Sequence, residues 1–297
     1  MNRKDFIKTL AILPMAATVM KLNALYKSSN SLENTETMPV LFLGHGSPMN
    51  AIEENEFVQG FRTVGNTIQR PKAILCISAH WETKGTYVTA MEMPKTIHDF
   101  GGFPQELFDV QYPAPGSPEL AMETKNMVIS RQLELDHSWG LDHGAWSVIK
   151  HLYPSADVPV IQMSLDYNMS PSSHYELAKE LALLRKKGIL IIGSGNMVHN
   201  LGVLDWNRNQ TDDYAFDWAQ EAKESLKSSI VNKDHQSLIN YKQGGIAINK
   251  AIPTPEHFLP LIYSLALQSS KDDVSIFNDK SVLGSIAMTS VVISSKS

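Results

Sequence analysis

The sequence predicts an α/β protein, a single three-layer α/β/α domain on a mixed, largely parallel central sheet. Three observations carry that expectation. Short, nearly unbroken apolar runs recur along the chain, as strands buried on both faces require. Helical patterns with recognisable caps separate them. No linker-like break or internal repeat interrupts residues 38–297. At 297 residues, with 43% hydrophobic and 19% charged, the chain can enclose one sizeable core.

The elements follow in order. "VLFLG" (40–44) reads as the first strand and "AILCIS" (73–78) as the second. The second run also holds the single cysteine, Cys76, which reads as a buried thiol and excludes an internal disulfide. "TYVTAM" (86–91) is β-rich and suits a neighbouring strand. "SPELAMETKNMVISRQL" (117–133) predicts a helix, with a Ser N-cap followed by Pro and Glu. "VPVIQMSL" (158–165) is the next strand, and "SSHYELAKELALLRKKG" (172–188) a helix that stops on Lys-Lys-Gly. "GILIIGS" (188–194) returns to the sheet. Helices are expected over 212–230 and 256–268, and one or two more strands from Ser281.

The first 37 residues differ from the rest. They begin basic, continue with a mildly apolar stretch of about a dozen residues, and end in the polar "KSSNSLENTET". "NRKDFIKT" is similar to a twin-arginine export signal with Lys4 in the second arginine position, and no clear Ala-x-Ala site follows. Two readings stand, export to the periplasm or an uncleaved cytoplasmic tail, with the folded domain at 38–297. A net charge of −5 and the absence of a basic block argue against nucleic acid as a partner. No apolar run reaches the 18 residues or so that a spanning helix needs.

Histidine carries the chemistry. Of ten histidines, His45 and His80 each follow an apolar strand closely, His199 follows a strand and a Gly-rich turn, and His257 opens a helix entered through two prolines. A lone histidine is most often a hydrogen-bonded structural residue. Four at element ends are a different matter, because parallel strands deliver their carboxyl ends to one edge, where ligands collect. Neutral imidazoles suit a borderline divalent metal. Glycines 44, 46, 193 and 195 are expected to let the backbone pack close to a ligand. Spacing alone supports a possible metal site, since no compact H-x-x-x-H or C-x-x-C occurs.

The motifs say more. "FLGHGSPMN", "SAHW", "TIHDFGGFP", "YPAPGSPELA", "LDHGAW", "GSGNMVHNL" and "PTPEHFLPL" together resemble the 4,5-DOPA dioxygenase extradiol family. These are class III ring-cleaving dioxygenases, related to the catalytic subunit of protocatechuate 4,5-dioxygenase. The resemblance spans roughly residues 38 to 292. It implies that His45, His80, His199 and His257 surround one divalent metal per chain, Zn2+ or Fe2+. At "EHF" it favours His257 as ligand over Glu256, whose own expected role is a first-turn acid favoured by the helix dipole. Non-haem iron oxygenases usually use two histidines and a carboxylate, so an all-histidine set leaves the metal open.

Further assignments accompany the resemblance. His143 is expected to act as an acid/base or substrate-binding group, oriented by its neighbour Asp142. Either His143 or His199 is the base. His98 is read as a pocket-wall residue, or alternatively as part of a turn stabilised by Asp99. Trp81 and Trp146 are read as walls of an aromatic pocket or as core. His137, His151, His174 and His235 are expected at the surface. The implied reaction is extradiol cleavage of a small aromatic diol by O2, giving a muconic semialdehyde. The alternatives are a zinc hydrolase on the same histidines, or a metal-binding signalling protein without catalysis. Oligomeric state is not fixed by the sequence.

Overall fold

The central sheet organises the computed structural model, which describes residues 36–295. The export signal and linker expected over residues 1–37 lie outside the described residues, apart from the last two. In chain order the main strands are β1 (Val40–Gly44), β2 (Ala73–Thr83), β3 (Thr86–Thr89), β4 (Leu133–Asp136), β5 (Val160–Asp166), β6 (Ile189–Gly195) and β7 (Asp272–Phe277). Two short strands, β8 (Ser281–Val282) and β9 (Ile286–Ala287), form a separate hairpin before β10 (Ser290–Ser295) returns to the sheet. The eight-stranded order is β4-β3-β5-β2-β6-β1-β10-β7. β5, β2, β6 and β1 run parallel, β3 parallel to β4, whereas β10 is antiparallel to both β1 and β7, and β3 to β5. The sheet is mixed and mostly parallel, with helices around it.

Period-two alternation assigns the strand residues to two layers. Leu41 and Leu43 of β1, Ile74 and Cys76 of β2, and Leu190 and Ile192 of β6 face one way. They meet Phe61 and Val64 of α1 (Glu56–Thr67) and Trp146 and Ile149 of a later helix in one buried cluster. The short α2 (Gln105–Phe108) and α3 (Pro118–Met127) follow in the chain, and the later helix is α4 (His143–Leu152). The opposite layer includes α5 (Pro171–Glu180), α6 (Ala182–Arg185), α7 (Asp217–Val231), α8 (His235–Ile239), α9 (Ile246–Ala251) and α10 (Leu259–Ala266). Of these, α10 packs directly on β1, β2 and β6.

Several element ends move from where periodicity puts them. The helix expected over 117–133 stops at Met127, because Leu133–Asp136 pairs in parallel with β3. The helix expected over 172–188 breaks at Leu181 into α5 and α6, and Gly188 then takes φ +83°. Tyr214 and Phe216, expected inside a helix, instead hydrogen-bond to Ser281 and Gly284 beside the β8–β9 hairpin, so α7 starts at Asp217. His257 lies in a turn closed by Phe258 and Leu259 N–H on the Pro255 carbonyl, just before α10. Cys76 is a buried free thiol, as the sequence suggests.

Candidate functional site

The ladders that join three parallel strands end together. Gly44 of β1 is level with Gly195 of β6, and Ser78 of β2 with Ser194. The residues just beyond those ends are therefore delivered to one place. His45 leaves β1 with its N–H on the Gly195 carbonyl and its own carbonyl accepting from the Asn50 side chain. β2 pairs with β5 up to Ile77↔Met163 and resumes in a shifted register at Glu82↔Leu165, so His80 sits on the intervening bulge. Asn196 N–H holds the His257 carbonyl against the end of β6. A β-carbon on Gly195 would stand 2.2 Å from that oxygen, and one on Gly44 2.6 Å from the Met288 carbonyl. The strand-end glycines thus admit neighbouring backbone, where ligand contact was expected. Gly46, at φ +62°, does line the cavity.

The rings of His45, His80 and His257 form a nearly equilateral triangle, with centroids 5.0, 5.2 and 5.1 Å apart. One nitrogen from each lies within 4.8 Å of the others, a grouping able to hold a metal ion. Hydrogen-bond accounting fixes which nitrogens are free. The Ser194 hydroxyl donates its one proton to the Gly144 carbonyl, so the contact at 3.0 Å to His45 Nδ1 requires Nδ1–H as donor. His80 Nδ1 lies 3.3 Å from Asp99 Oδ2, within ion-pair distance. His45 Nε2 is then a bare lone pair, and it faces His80 Nε2 at 3.2 Å. Their spacing matches the roughly 3.3 Å between ligands of a tetrahedral ion with bonds of about 2.0 Å. The donor set fits a divalent metal.

The protonation states agree. Burial, followed by the repulsion of neighbouring imidazoles, pushes His45 and His257 well below the usual histidine range. Burial and His143 take His80 down to about 3, despite Asp99. A ligand histidine must be neutral, and these are.

Two histidines flank the triangle. His143 begins α4 and lies 3.9 Å, ring to ring, from His80. Its partner is Asp99, whose Oδ2 accepts from His143 Nδ1 at 3.0 Å and whose Oδ1 accepts from the backbone N–H of His143 at 2.8 Å. Burial works against the charged form of Asp99, but these bonds outweigh it and hold the carboxyl below its usual range. His199 stacks on His257 at 3.5 Å with the rings 8° from parallel, and burial pulls it down to about 4. His199 groups with His257 and Glu256, and not with His45 and His80. Glu256 accepts from His257 Nδ1 at 3.3 Å, so it orients the histidine that was expected to displace it.

A cavity of about 740 Å³ opens over these rings, lined by His45, His80, His143, His199 and His257 among mostly apolar neighbours. Three residues expected in its substrate wall lie behind it. Asp142 is fully buried, caps α4 through Ala145 N–H, and accepts from Ser78 and Gln162. It does not touch the His143 ring, whose carboxylate partner is Asp99, 44 residues away. His98 donates from Nε2 to the Val110 carbonyl and packs on Phe100, Phe108 and Trp146. Trp81 is buried, stacked on Trp139, and Trp146 is core, its indole N–H on the Ile97 carbonyl. His137 is exposed as expected. His151 and His174 are buried instead, on the Asn50 carbonyl and the Tyr263 hydroxyl, and His235 is half-buried between Tyr175 and Gln268. Asp99 and Ser194 are the residues that sequence reading passed over as site members. Their signal was faint, a turn aspartate and a serine between two glycines.

Residues 39–291 match the family described as the catalytic LigB subunit of aromatic ring-opening dioxygenase. The chain is 44% identical over 262 residues to a 4,5-DOPA dioxygenase extradiol of Escherichia coli K12, covering 86% of this chain and 94% of that protein. It is 37% identical to a protein of the same name from Beta vulgaris, over 74% of this chain and 83% of the relative. A crystal structure of an uncharacterized Escherichia coli K12 protein superposes with a TM-score of 0.75 at 38% identity, covering 86% of this chain and all of the other.

Proposed function

This chain belongs to the family of catalytic LigB subunits of aromatic ring-opening dioxygenases, and from that premise we propose that His45, His80 and His257 hold one divalent metal at which DOPA-like catechols are cleaved outside the diol. The family makes it an extradiol dioxygenase, an oxidoreductase acting on an aromatic substrate with O2. The observation that carries the metal is the convergence of one nitrogen each from His45, His80 and His257, all within 4.8 Å of one another.

A metal held by these histidines would supply Lewis acidity toward a bound diol and O2. The protein's own groups do the rest. Asp99 keeps the proton of His143 on Nδ1, so Nε2 is the acceptor for a phenolic proton. The same carboxylate steadies the imidazolium that results, as an acid does behind a general-base histidine. His199, neutral and stacked on His257, is placed to take or return a proton on the other flank. Apolar walls built by Phe57, Phe103, Leu204 and Met288 exclude water while the ring is open.

The test is direct. Protein purified anaerobically is assayed for bound metal, then reconstituted separately with Fe2+ and Zn2+ and given a catechol in an oxygen electrode. Stoichiometric O2 uptake with a semialdehyde absorbance supports the reading, and the ion that sustains it is the catalytic one. Absence of uptake with either ion overturns it.

A further inference from the structure

The cavity wall carries one fixed charge, and it is negative. In the stretch "EENE", Glu54 pairs with Arg62 at 2.6 Å and Glu56 with Lys280 at 2.7 Å. Glu53, on the same stretch, lines the cavity, and among the described residues no cation pairs with its exposed carboxylate. No lysine or arginine is among the described residues that line the cavity. Lys150, which reaches the same segment, is committed to the Ala51 carbonyl at 2.8 Å. Glu53 lies eight residues after His45, beyond the 3-10 turn Pro48–Ala51 whose Asn50 is tied to the His45 carbonyl. This segment therefore runs as a continuous wall from a metal-ligand candidate to the carboxylate.

We propose that Glu53 selects substrates by the charge on the ring's side chain, favouring catechols that carry an ammonium group and disfavouring those whose only charge is a carboxylate. The inference rests on the proposed ring cleavage, with the diol at the histidines and the substituent extending along the wall. Apart from the histidines that face the diol, Glu53 is the one ionisable side chain among the described lining residues, so it is the group that discriminates. Because it is exposed, its effect is limited to about fivefold for each unit of charge, the ceiling for an exposed ion pair. It weakens as ionic strength rises, since screening acts over about 10 Å at 0.1 M salt.

The experiment uses the full chain, metal-loaded, and three catechols alike except at the end of a two-carbon side chain: ammonium, methyl and carboxylate. kcat/KM is measured in air, and affinity anaerobically from the shift of the catechol ultraviolet band. The expected order is ammonium, methyl, carboxylate, spanning roughly tenfold or somewhat more. Glu53→Gln should collapse that span with thermal stability unchanged, and Glu53→Lys should reverse it. An unchanged order in Glu53→Gln, or a carboxylate preference in the wild type, overturns the proposal. Cleavage of all three without ranking leaves the dioxygenase reading standing and removes this one. Ranked binding without cleavage does the opposite, and failure of all three to bind removes both.

Discussion

The two ends of the sheet handle ionisable groups in opposite ways. Where the parallel strands begin, each buried charge has a partner of opposite sign. Arg185 grips Asp272 at 2.7 Å and 3.1 Å while its Nε donates to the Met38 carbonyl, and Lys187 meets Glu123 at 2.6 Å. All four side chains are nearly inaccessible. Where the strands finish, five histidines line one cavity, and burial followed by neighbouring imidazoles keeps His45, His80 and His257 unprotonated, with Asp99 and Glu256 close to outer nitrogens. The first end is satisfied by its own residues. The second has lone pairs left over, and leftover acceptors converging on a point are what a cation-binding centre consists of.

The largest effect that tests this contrast is removal of a triangle member. His45→Ala, His80→Ala or His257→Asn should each abolish stoichiometric metal and O2 uptake together, by far more than the 10–100-fold that loss of a supporting residue costs. Thermal unfolding of metal-free protein should shift little by comparison. Full metal occupancy in any of these variants would break the assignment of that residue.

The opposite end should respond in the opposite way. Asp272→Asn leaves Arg185 charged and buried without its partner, at a cost of about 3–5 kcal/mol in urea unfolding, with metal content per folded chain unchanged. Burial works against the Asp272 charge, but hydrogen bonds from Arg185 prevail and bring it from 3.8 down to about 2. A depressed carboxyl stabilises the fold above its unfolded pKa and loses that contribution as pH falls through the folded one. About 2 kcal/mol should therefore disappear between pH 4 and pH 2 in the wild type, and not in Asp272→Asn.

His143 separates ligand from catalyst. His143→Asn should keep its metal and bind catechol anaerobically, yet lose turnover by on the order of 10²-fold or more. Loss of metal in this variant would move His143 into the coordination set. The smallest of these effects belongs to Asp99. Asp99→Asn removes the charge beside His80 Nδ1 and leaves one oxygen to accept from the backbone N–H and Nδ1 of His143. Metal affinity, read by chelator competition, should fall by about 10–100-fold. Unchanged affinity would show that the packing of the bulge alone aims His80.

Much of this was legible in the sequence, because the signals are local. Unbroken apolar runs at 40–44, 73–78 and 188–194 can only be strands buried on both faces, and parallel strands bring His45 and His80 to one edge by geometry alone. What the sequence left open is what distant segments decide. Leu133 reads as the last residue of a helix until β3 offers Leu133–Asp136 a ladder. His174 and His151 read as polar surface until Tyr263 and Asn50 are folded against them.

The clearest case is the carboxylate behind His143. Asp142 is its neighbour in sequence, but successive residues at a helix start point apart. The N-cap geometry turns Asp142 inward to Ala145, Ser78 and Gln162, and frees His143 to meet Asp99 from another loop. The sequence determined by itself that histidines would gather at the carboxyl ends of the sheet, since strand polarity and alternation suffice for that. Which of them share a metal, and which carboxylate holds each proton, only the tertiary structure decided, because side-chain direction is set by packing between residues far apart in the chain.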